Sequence, residues 1–132
     1  MKEEGVITMN VQEIPLVKIE RCATEIILDL GVPAHLKGYH FLREAIVLSV
    51  YDMERVTSVT KLLYPMVGKK FFTNGSRVER AIRNAIEVSW ERGSAVKFES
   101  LFVYSKEMGC KRPTNSEYIA RIADQIRLDL QD

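Results

Sequence analysis

Apolar residues recur every three or four positions along most of the chain, and this spacing predicts helices rather than strands. The predicted helical segments run from about 11 to 30 (as one long or two short helices), 39 to 54, 58 to 63, 65 to 71 and 76 to 92. Gly93 is expected to stop the last of these, and two more follow, one after Gly93 to about Met108 and one from 114 to 130. No segment shows a strand-like alternation that rivals them. The pattern predicts an all-α fold of about six helices, in a single domain over residues 1–132 with a loose start over 1–10.

Capping residues and prolines place the ends of these helices. Gly31 is expected to end the first helix, and a loop over 33–38 follows it. Pro65 is expected in the first turn of a new helix, where proline is best tolerated. Thr114 and Glu117 have the spacing of a capping box and are expected to begin the last helix.

The segment from Pro65 to Arg92 has the pattern of a helix-turn-helix. A helix of about two turns precedes the turn Thr73-Asn74-Gly75, and a longer amphipathic helix follows it. One face of that helix is apolar and is expected to be buried: Val78, Ala81, Ile82, Ala85, Ile86, Ser89 and Trp90. The remaining surface carries Arg77, Arg80, Arg83 and Asn84, with Glu79 as the one acid among them.

This polar face has the chemistry that base reading in a DNA major groove requires. Arginine can donate two parallel hydrogen bonds to guanine, and a carboxylate can accept one from the cytosine amine. Lys69 and Lys70 add local positive charge and are expected to contact phosphates. Two other interpretations concern Glu79, which could form an exposed ion pair with Arg83 or a capping box with Ser76. A capping Glu79 could not also accept a bond from a base.

Composition limits the alternatives. The chain has 132 residues, of which 46% are hydrophobic and 28% charged, and a net charge of +1, so any nucleic-acid-binding charge must be local. No apolar run is long enough to span a membrane, and the segment Met1–Glu4 lacks the apolar core expected of a signal peptide. Cys22 and Cys110 fit no metal or redox spacing and are expected to be reduced thiols in the cytoplasm, with a disulfide between them as the alternative. His35 and His40 lack neighbouring ligands, so no metal or cofactor is expected, and no catalytic constellation indicates an enzyme.

Several aromatic and basic residues have less specific patterns. Tyr64, Phe71 and Trp90 are expected in the core, whereas the role of Phe72 stays open between core and base-stacking surface. The loop cations Lys37, Lys111 and Arg112 are expected to be solvated surface, with phosphate contact as a second possibility.

Eight motifs in order along the chain resemble one known family. They are Gly31–Tyr39, Leu42–Ile46, Leu63–Pro65, Lys69–Phe71, Ser76–Arg83, Ala85–Val88, Ser100–Phe102 and Lys111–Glu117. From about Thr24 to Leu130 the chain resembles the DNA-binding effector domain of the stage-zero sporulation response regulator of spore-forming bacteria.

The resemblance implies a specific interaction with DNA. It implies that the helix over about 76–91 enters the major groove of a TGTCGAA-type box, with neighbouring domains associating on tandem boxes. Base edges would be read by Arg77, Glu79 and Arg80. Phosphates would be contacted by Ser76, Arg83 and Asn84. The segment 95–111 would correspond to the part that contacts an RNA polymerase sigma factor.

The regulator normally also carries a receiver domain, for which this chain has no room. It is therefore either a fragment or a stand-alone protein, and its first 20 residues, which lack the character of an interdomain linker, favour the stand-alone protein. An alternative function follows. The chain could be a protein-interaction module, or an antagonist of the full-length regulator that no longer activates transcription.

Overall fold

The computed structural model describes residues 10–102 and 111–131, which form six α-helices. These are α1 (Leu16–Asp29), α2 (Lys37–Tyr51), α3 (Tyr64–Lys70), α4 (Gly75–Arg92), α5 (Ala95–Phe102) and α6 (Asn115–Leu130). Short 3₁₀ segments at Val11–Glu13 and Met53–Ser58 and a π segment at Val59–Leu63 complete the chain. These ranges contain no strand, so the predicted all-α fold is confirmed. Residues 1–9 of the predicted loose start and the predicted helix end near Met108 lie outside the described residues.

Helix α2 lies at the centre of the fold, with α1, α4 and α6 packed against it. It is buried on most of its circumference, because nine of its residues have little or no exposed surface. The helical spacing of the sequence predicts an inward face of Leu42, Ala45, Ile46, Ser49 and Val50, and all five are among them. The other helices therefore take their positions from α2.

The first helical segment is divided and then capped as its sequence requires. Pro15 precedes α1 and separates it from the 3₁₀ turn, which gives the two-helix version of the prediction. At the other end Gly31 has φ +87°, and its N–H donates to the Leu28 carbonyl at 3.0 Å. The N–H of Val32 donates to the Ile27 carbonyl at 3.0 Å, which completes a Schellman motif and confirms the predicted cap.

The predicted bounds of α2 were wrong by two or three residues. The loop expected over 33–38 ends at Leu36, and the helix already includes Lys37. At its other end the helix stops at Tyr51 rather than near residue 54, because Asp52 is extended and its side chain accepts from the Glu54 N–H at 3.1 Å. The early start of α2 matters for the candidate site below.

The start of α6 is fixed by a capping box and linked to two other helices. The Thr114 N–H donates to Glu117 Oε1 at 2.8 Å, and the Glu117 N–H donates to Thr114 Oγ1 at 3.2 Å, as predicted. Asn115 Nδ2 donates to Tyr64 Oη at 3.0 Å and to the Glu79 carbonyl at 3.2 Å. These bonds connect the first turn of α6 to α3 and α4.

A buried hydrogen-bond chain joins α1, α4 and α6. The Ser89 hydroxyl donates to the Leu30 carbonyl at 2.7 Å and lies 2.8 Å from Tyr118 Oη. Because the Ser89 proton is used on Leu30, the Tyr118 hydroxyl is the donor to Ser89. Both side chains are fully buried, and burial raises the pKa of Tyr118 well above its usual value, although the bond to Ser89 lowers it.

We expect Tyr118→Phe to lower the free energy of unfolding by about 1–2 kcal/mol at pH 7, because Ser89 loses a buried donor. Denaturation in urea measures this loss. Since the pKa of Tyr118 is higher in the folded state, its contribution is complete below the unfolded pKa near 10 and declines as the pH rises above it. The gap between wild type and variant should therefore narrow by about 0.8 kcal/mol at pH 10.5. A gap that stays constant with pH would contradict this role of Tyr118.

Candidate nucleic-acid interface

Helices α3 and α4 and the turn between them form the predicted helix-turn-helix. Pro65 lies in the first turn of α3, where its missing N–H leaves no bond unmade. Residues 71–74 reverse the chain, and α4 then runs for 18 residues. The short helix, the turn and the longer helix have the predicted order and lengths.

The turn itself is a second Schellman motif, and its left-handed position is occupied by an aromatic residue. The Thr73 N–H donates to the Gly68 carbonyl at 2.8 Å, and the Phe72 N–H lies 3.5 Å from the Lys69 carbonyl. Phe72 has φ +58°, a conformation that costs a residue with a Cβ roughly 1–2 kcal/mol. The positive φ of the turn therefore falls on Phe72, just before the predicted turn Thr73-Asn74-Gly75, and Gly75 is already the first residue of α4.

Asn74 rather than Ser76 caps α4. The Asn74 backbone is extended, and its side-chain oxygen accepts from the Arg77 N–H at 2.9 Å. The capping box suggested for Ser76 and Glu79 was therefore wrong, because α4 begins two residues earlier than a cap at Ser76 would require. The carboxylate of Glu79 therefore does not cap α4 and is free to interact along the helix.

Glu79 instead forms the other interaction suggested by its spacing. Its Oε2 lies 3.0 Å from Arg83 Nη1, one helical turn away, and both side chains remain partly exposed. Exposed pairs of this kind contribute a few tenths of a kcal/mol. The pair is therefore weak enough for either partner to exchange it for a contact outside the protein.

The two faces of α4 match the predicted division. Its buried residues are Val78, Ile82, Ala85, Ile86 and Ser89, while Ala81 and Trp90 are half-buried. Ser76, Arg77, Arg80, Arg83 and Asn84 are exposed, as are Lys69 and Lys70 at the end of α3. Within the described part of the chain, Arg77 and Arg80 form no ion pair, whereas Lys70 Nζ lies 2.7 Å from Glu44 Oε1.

A groove of about 990 Å³ runs between the start of α2 and the exposed face of α4, and we call it the α2–α4 groove. It is lined by Lys37, His40, Phe41, Phe71, Phe72, Thr73, Arg77, Arg80, Ala81, Arg83, Asn84 and Glu87. Four of these residues are lysine or arginine and one is an acid, so the groove is positively charged. This charge favours a polyanionic ligand.

Lys37 and His40 join the groove because α2 approaches α4 unusually closely. A Cβ on Gly38 would lie 2.1 Å from the Ala81 carbonyl oxygen and 2.9 Å from the Ala85 Cβ. Only glycine fits at this crossing, and it brings the first turn of α2 beside the arginines. The sequence predicts Lys37 as solvated surface, with phosphate contact as a second possibility, and does not place His40 beside the arginines. The small residues on the two helices are nevertheless a signal of close packing.

A second cavity of about 870 Å³ lies on the other side of α4, next to the start of α6. Its lining includes Glu79, Arg83 and the exposed loop cations Lys111 and Arg112. Arg112 also lies 3.3 Å from Glu87. Positive charge therefore borders α4 on both sides, which is the distribution expected where two phosphate backbones flank a recognition helix.

The structure divides the predicted site residues between these two sides. Arg77, Arg80 and Asn84 line the α2–α4 groove, and Arg83 borders both cavities. Glu79 borders the second cavity, and it also shares a smaller depression at the start of α4 with Ser76 and Tyr64. Lys69 and Lys70, at the end of α3, line neither of the two large cavities.

The described residues contain no group of three or more His, Cys, Asp or Glu side chains that could hold a metal ion. Nor do these residues include a helix long and apolar enough to cross a membrane. Cys22 is a half-buried free thiol whose pKa is raised by burial, and Cys110 lies outside the described residues.

A short helix, a tight turn and a longer helix with an arginine-rich exposed face define a DNA-binding protein of the helix-turn-helix class. The family model described as "Sporulation initiation factor Spo0A C terminal" matches residues 23–126 of the chain. The chain therefore belongs to this family, the C-terminal DNA-binding effector domain of a sporulation regulator, and the resemblance seen in its sequence is confirmed. The family is one of transcription regulators, not of enzymes.

Proposed function

We propose that α4 enters the major groove of a TGTCGAA-type box and that Arg77 and Arg80 read guanines there. The observation that supports this proposal is the exposure, position and ion pairing of these two side chains. They are exposed, lie one helical turn apart on the α2–α4 groove, and form no ion pair within the described ranges. Neither arginine must break an ion pair with a described residue before it can donate two hydrogen bonds to a base edge.

Glu79 would read a cytosine after exchanging its partner. In the free protein its carboxylate is held by Arg83 at 3.0 Å. On DNA, Arg83 would turn to a phosphate and Glu79 would accept from the cytosine amine. The exchange replaces a weak exposed ion pair with two contacts to DNA, so its cost is small.

The remaining predicted residues would hold the phosphate backbone. Ser76 and Asn84 are both exposed on α4, Ser76 in its first turn and Asn84 beside the arginines of the α2–α4 groove. Lys69 and Lys70 extend the positive surface from the end of α3. Contacts of this kind position a protein on DNA but carry no sequence information.

Lys69→Ala is expected to weaken binding to box and scrambled duplexes alike, by about fivefold at 0.15 M salt. The slope of log affinity against log salt concentration should become shallower by about 0.9 in both cases, because one phosphate contact is lost. Lys97→Ala is the matched control, since Lys97 lies on α5 beside Asp29, away from α4. A loss confined to the box duplex would show that Lys69 reads sequence instead.

Membership of this family also supports a proposal about where the protein acts and what it contacts there. We infer that the protein acts in the cytoplasm, on DNA with tandem boxes where neighbouring domains associate, and that it contacts an RNA polymerase sigma factor. The segment 95–111, to which the resemblance assigns the sigma-factor contact, is described only in part, as α5 and Lys111.

A mobility-shift titration tests the proposal against the antagonist alternative. The probes are a duplex containing one TGTCGAA box and a scrambled duplex of the same composition, with the full-length regulator as a second binding partner. We expect the box duplex to shift at a much lower protein concentration than the scrambled one. If neither duplex shifted while a complex with the full-length regulator formed, the antagonist function would replace the one proposed here.

A further inference from the structure

Phe72 is the one residue with a side chain that the described backbone holds at positive φ. The same Schellman geometry ends α1, and there the left-handed position is Gly31, which has no Cβ to clash. The turn of the helix-turn-helix therefore carries an unfavourable residue where glycine or asparagine would fit. Backbone strain of this kind is retained mostly where a side chain has a function.

The ring of Phe72 contributes nothing to the core. The side chain is 98% exposed, the highest value among the exposed large apolar residues. Its neighbour Phe71, expected in the core, is 36% exposed. Unlike Phe72, its ring still packs within the protein, with its centre 5.2 Å from that of Phe41 and 5.8 Å from the Lys70 ammonium. Because the exposed ring of Phe72 does not offset the backbone strain by packing inside the protein, we expect it to contact another molecule.

The position of Phe72 identifies the kind of ligand. It lines the α2–α4 groove together with Arg77 and Arg80, and it follows the exposed cations Lys69 and Lys70. The backbone that follows leads through the Asn74 cap directly into α4. A ligand that fills the α2–α4 groove and contacts Arg77 and Arg80 therefore also lies beside the Phe72 ring. The positive charge of the groove favours a polyanion as that ligand.

We propose that Phe72 is a specificity- and affinity-determining residue of the DNA interface, with its ring packed against an apolar surface of the duplex beside the bases that Arg77 and Arg80 contact. This inference rests on the proposed function. Two apolar surfaces exist in the groove, the C5-methyl group of a thymine and the edge of a deoxyribose. Burial of the ring against either one adds affinity that does not depend on salt, because no phosphate is neutralised.

The test compares Phe72→Asn and Phe72→Leu with wild type on the single-box duplex by fluorescence anisotropy. Asparagine tolerates the left-handed conformation but is polar, whereas leucine keeps an apolar surface and the strain. We expect the asparagine variant to bind about tenfold more weakly and the leucine variant to stay within about threefold of wild type. Val96→Asn is the matched control, since Val96 is 72% exposed on α5 and outside the groove, and it should bind like wild type.

Two further measurements separate this contact from a structural or electrostatic effect. The asparagine variant should unfold at the same temperature as wild type or a higher one, because the strain is relieved. The salt dependence of its binding should be unchanged. If the ring lies on a thymine methyl, one thymine-to-uracil replacement in the box should weaken wild type and leave the asparagine variant unaffected; if it lies on a deoxyribose, no such replacement should matter.

Equal affinity of wild type and the asparagine variant for the box would overturn this contact and leave the proposed function intact. So would equal losses in the asparagine and leucine variants. A loss seen only on two tandem boxes would also overturn it, since it would place Phe72 between neighbouring domains. Absence of box binding by the wild-type protein would instead overturn the proposed function, and this contact with it.

Discussion

Arg77→Ala is expected to weaken binding to the box duplex by about 1–3 kcal/mol, roughly 5- to 150-fold, and to change binding to a scrambled duplex far less. The arginine would otherwise donate two hydrogen bonds to one guanine, and alanine leaves that base edge unpaired in the groove. Discrimination should be lost at one base pair only. Arg80→Ala should have the same effect at a neighbouring base pair, because the two residues lie on the same side of α4.

Anisotropy titrations against the box and its single-base-pair variants measure these losses. Arg92→Ala is the matched control, because Arg92 is an exposed arginine in the last turn of the same helix and does not line the α2–α4 groove. Its replacement should leave the base preference intact. If Arg77→Ala and Arg92→Ala lowered affinity for every duplex to the same extent, Arg77 would contribute charge alone and would not read a base.

Gly38→Ala is expected to lower the free energy of unfolding by at least about 1–3 kcal/mol. The new Cβ would meet the Ala81 carbonyl oxygen at 2.1 Å and its carbon at 2.8 Å, and backbone atoms inside a packed helix cannot move aside cheaply. Helix α2 would have to move away from α4. Because that movement also carries Lys37 and His40 away from the groove, affinity for DNA should fall even under conditions where the variant is folded.

Chemical denaturation measures the first effect, and Gly75→Ala supplies the comparison. A Cβ at Gly75 would have its nearest neighbours at 3.5 Å, which is ordinary contact, and alanine is the better helix former. The Gly75 variant should therefore be as stable as wild type or more stable. Equal stabilities of the two variants would show that the crossing of α2 and α4 is not tightly packed at Gly38.

The features that depend on local sequence could be predicted. The inward residues of α2, the two faces of α4 and the capping box at Thr114 follow from helical spacing and from short capping patterns. The helix-turn-helix also follows from them, because Pro65 marks the start of α3 and the small polar residues Thr73 and Asn74 mark the turn before α4. Each of these signals involves residues close together in the chain.

The features that depend on packing could not be predicted. The α2–α4 groove exists because Gly38 meets Ala81, 43 positions later, and spacing within either helix does not reveal that contact. The sequence leaves Phe72 open between core and surface. Its left-handed backbone depends on where α3 ends, because a shift of one residue would move that conformation to a neighbouring residue. The choice between the two interpretations of Glu79 likewise depended on whether Asn74 or Ser76 caps α4.

Chemical-shift mapping of the ¹⁵N-labelled protein tests most directly whether the exposed face of α4 reads the box. The protein would be titrated with the box duplex and, separately, with the scrambled duplex, and the amide shifts compared residue by residue. We expect the changes specific to the box to concentrate between Phe72 and Glu87, with smaller changes common to both duplexes at Lys37, Lys69 and Lys111. Box-specific changes on α1 or the outer face of α6, with α4 unaffected, would contradict the central claim.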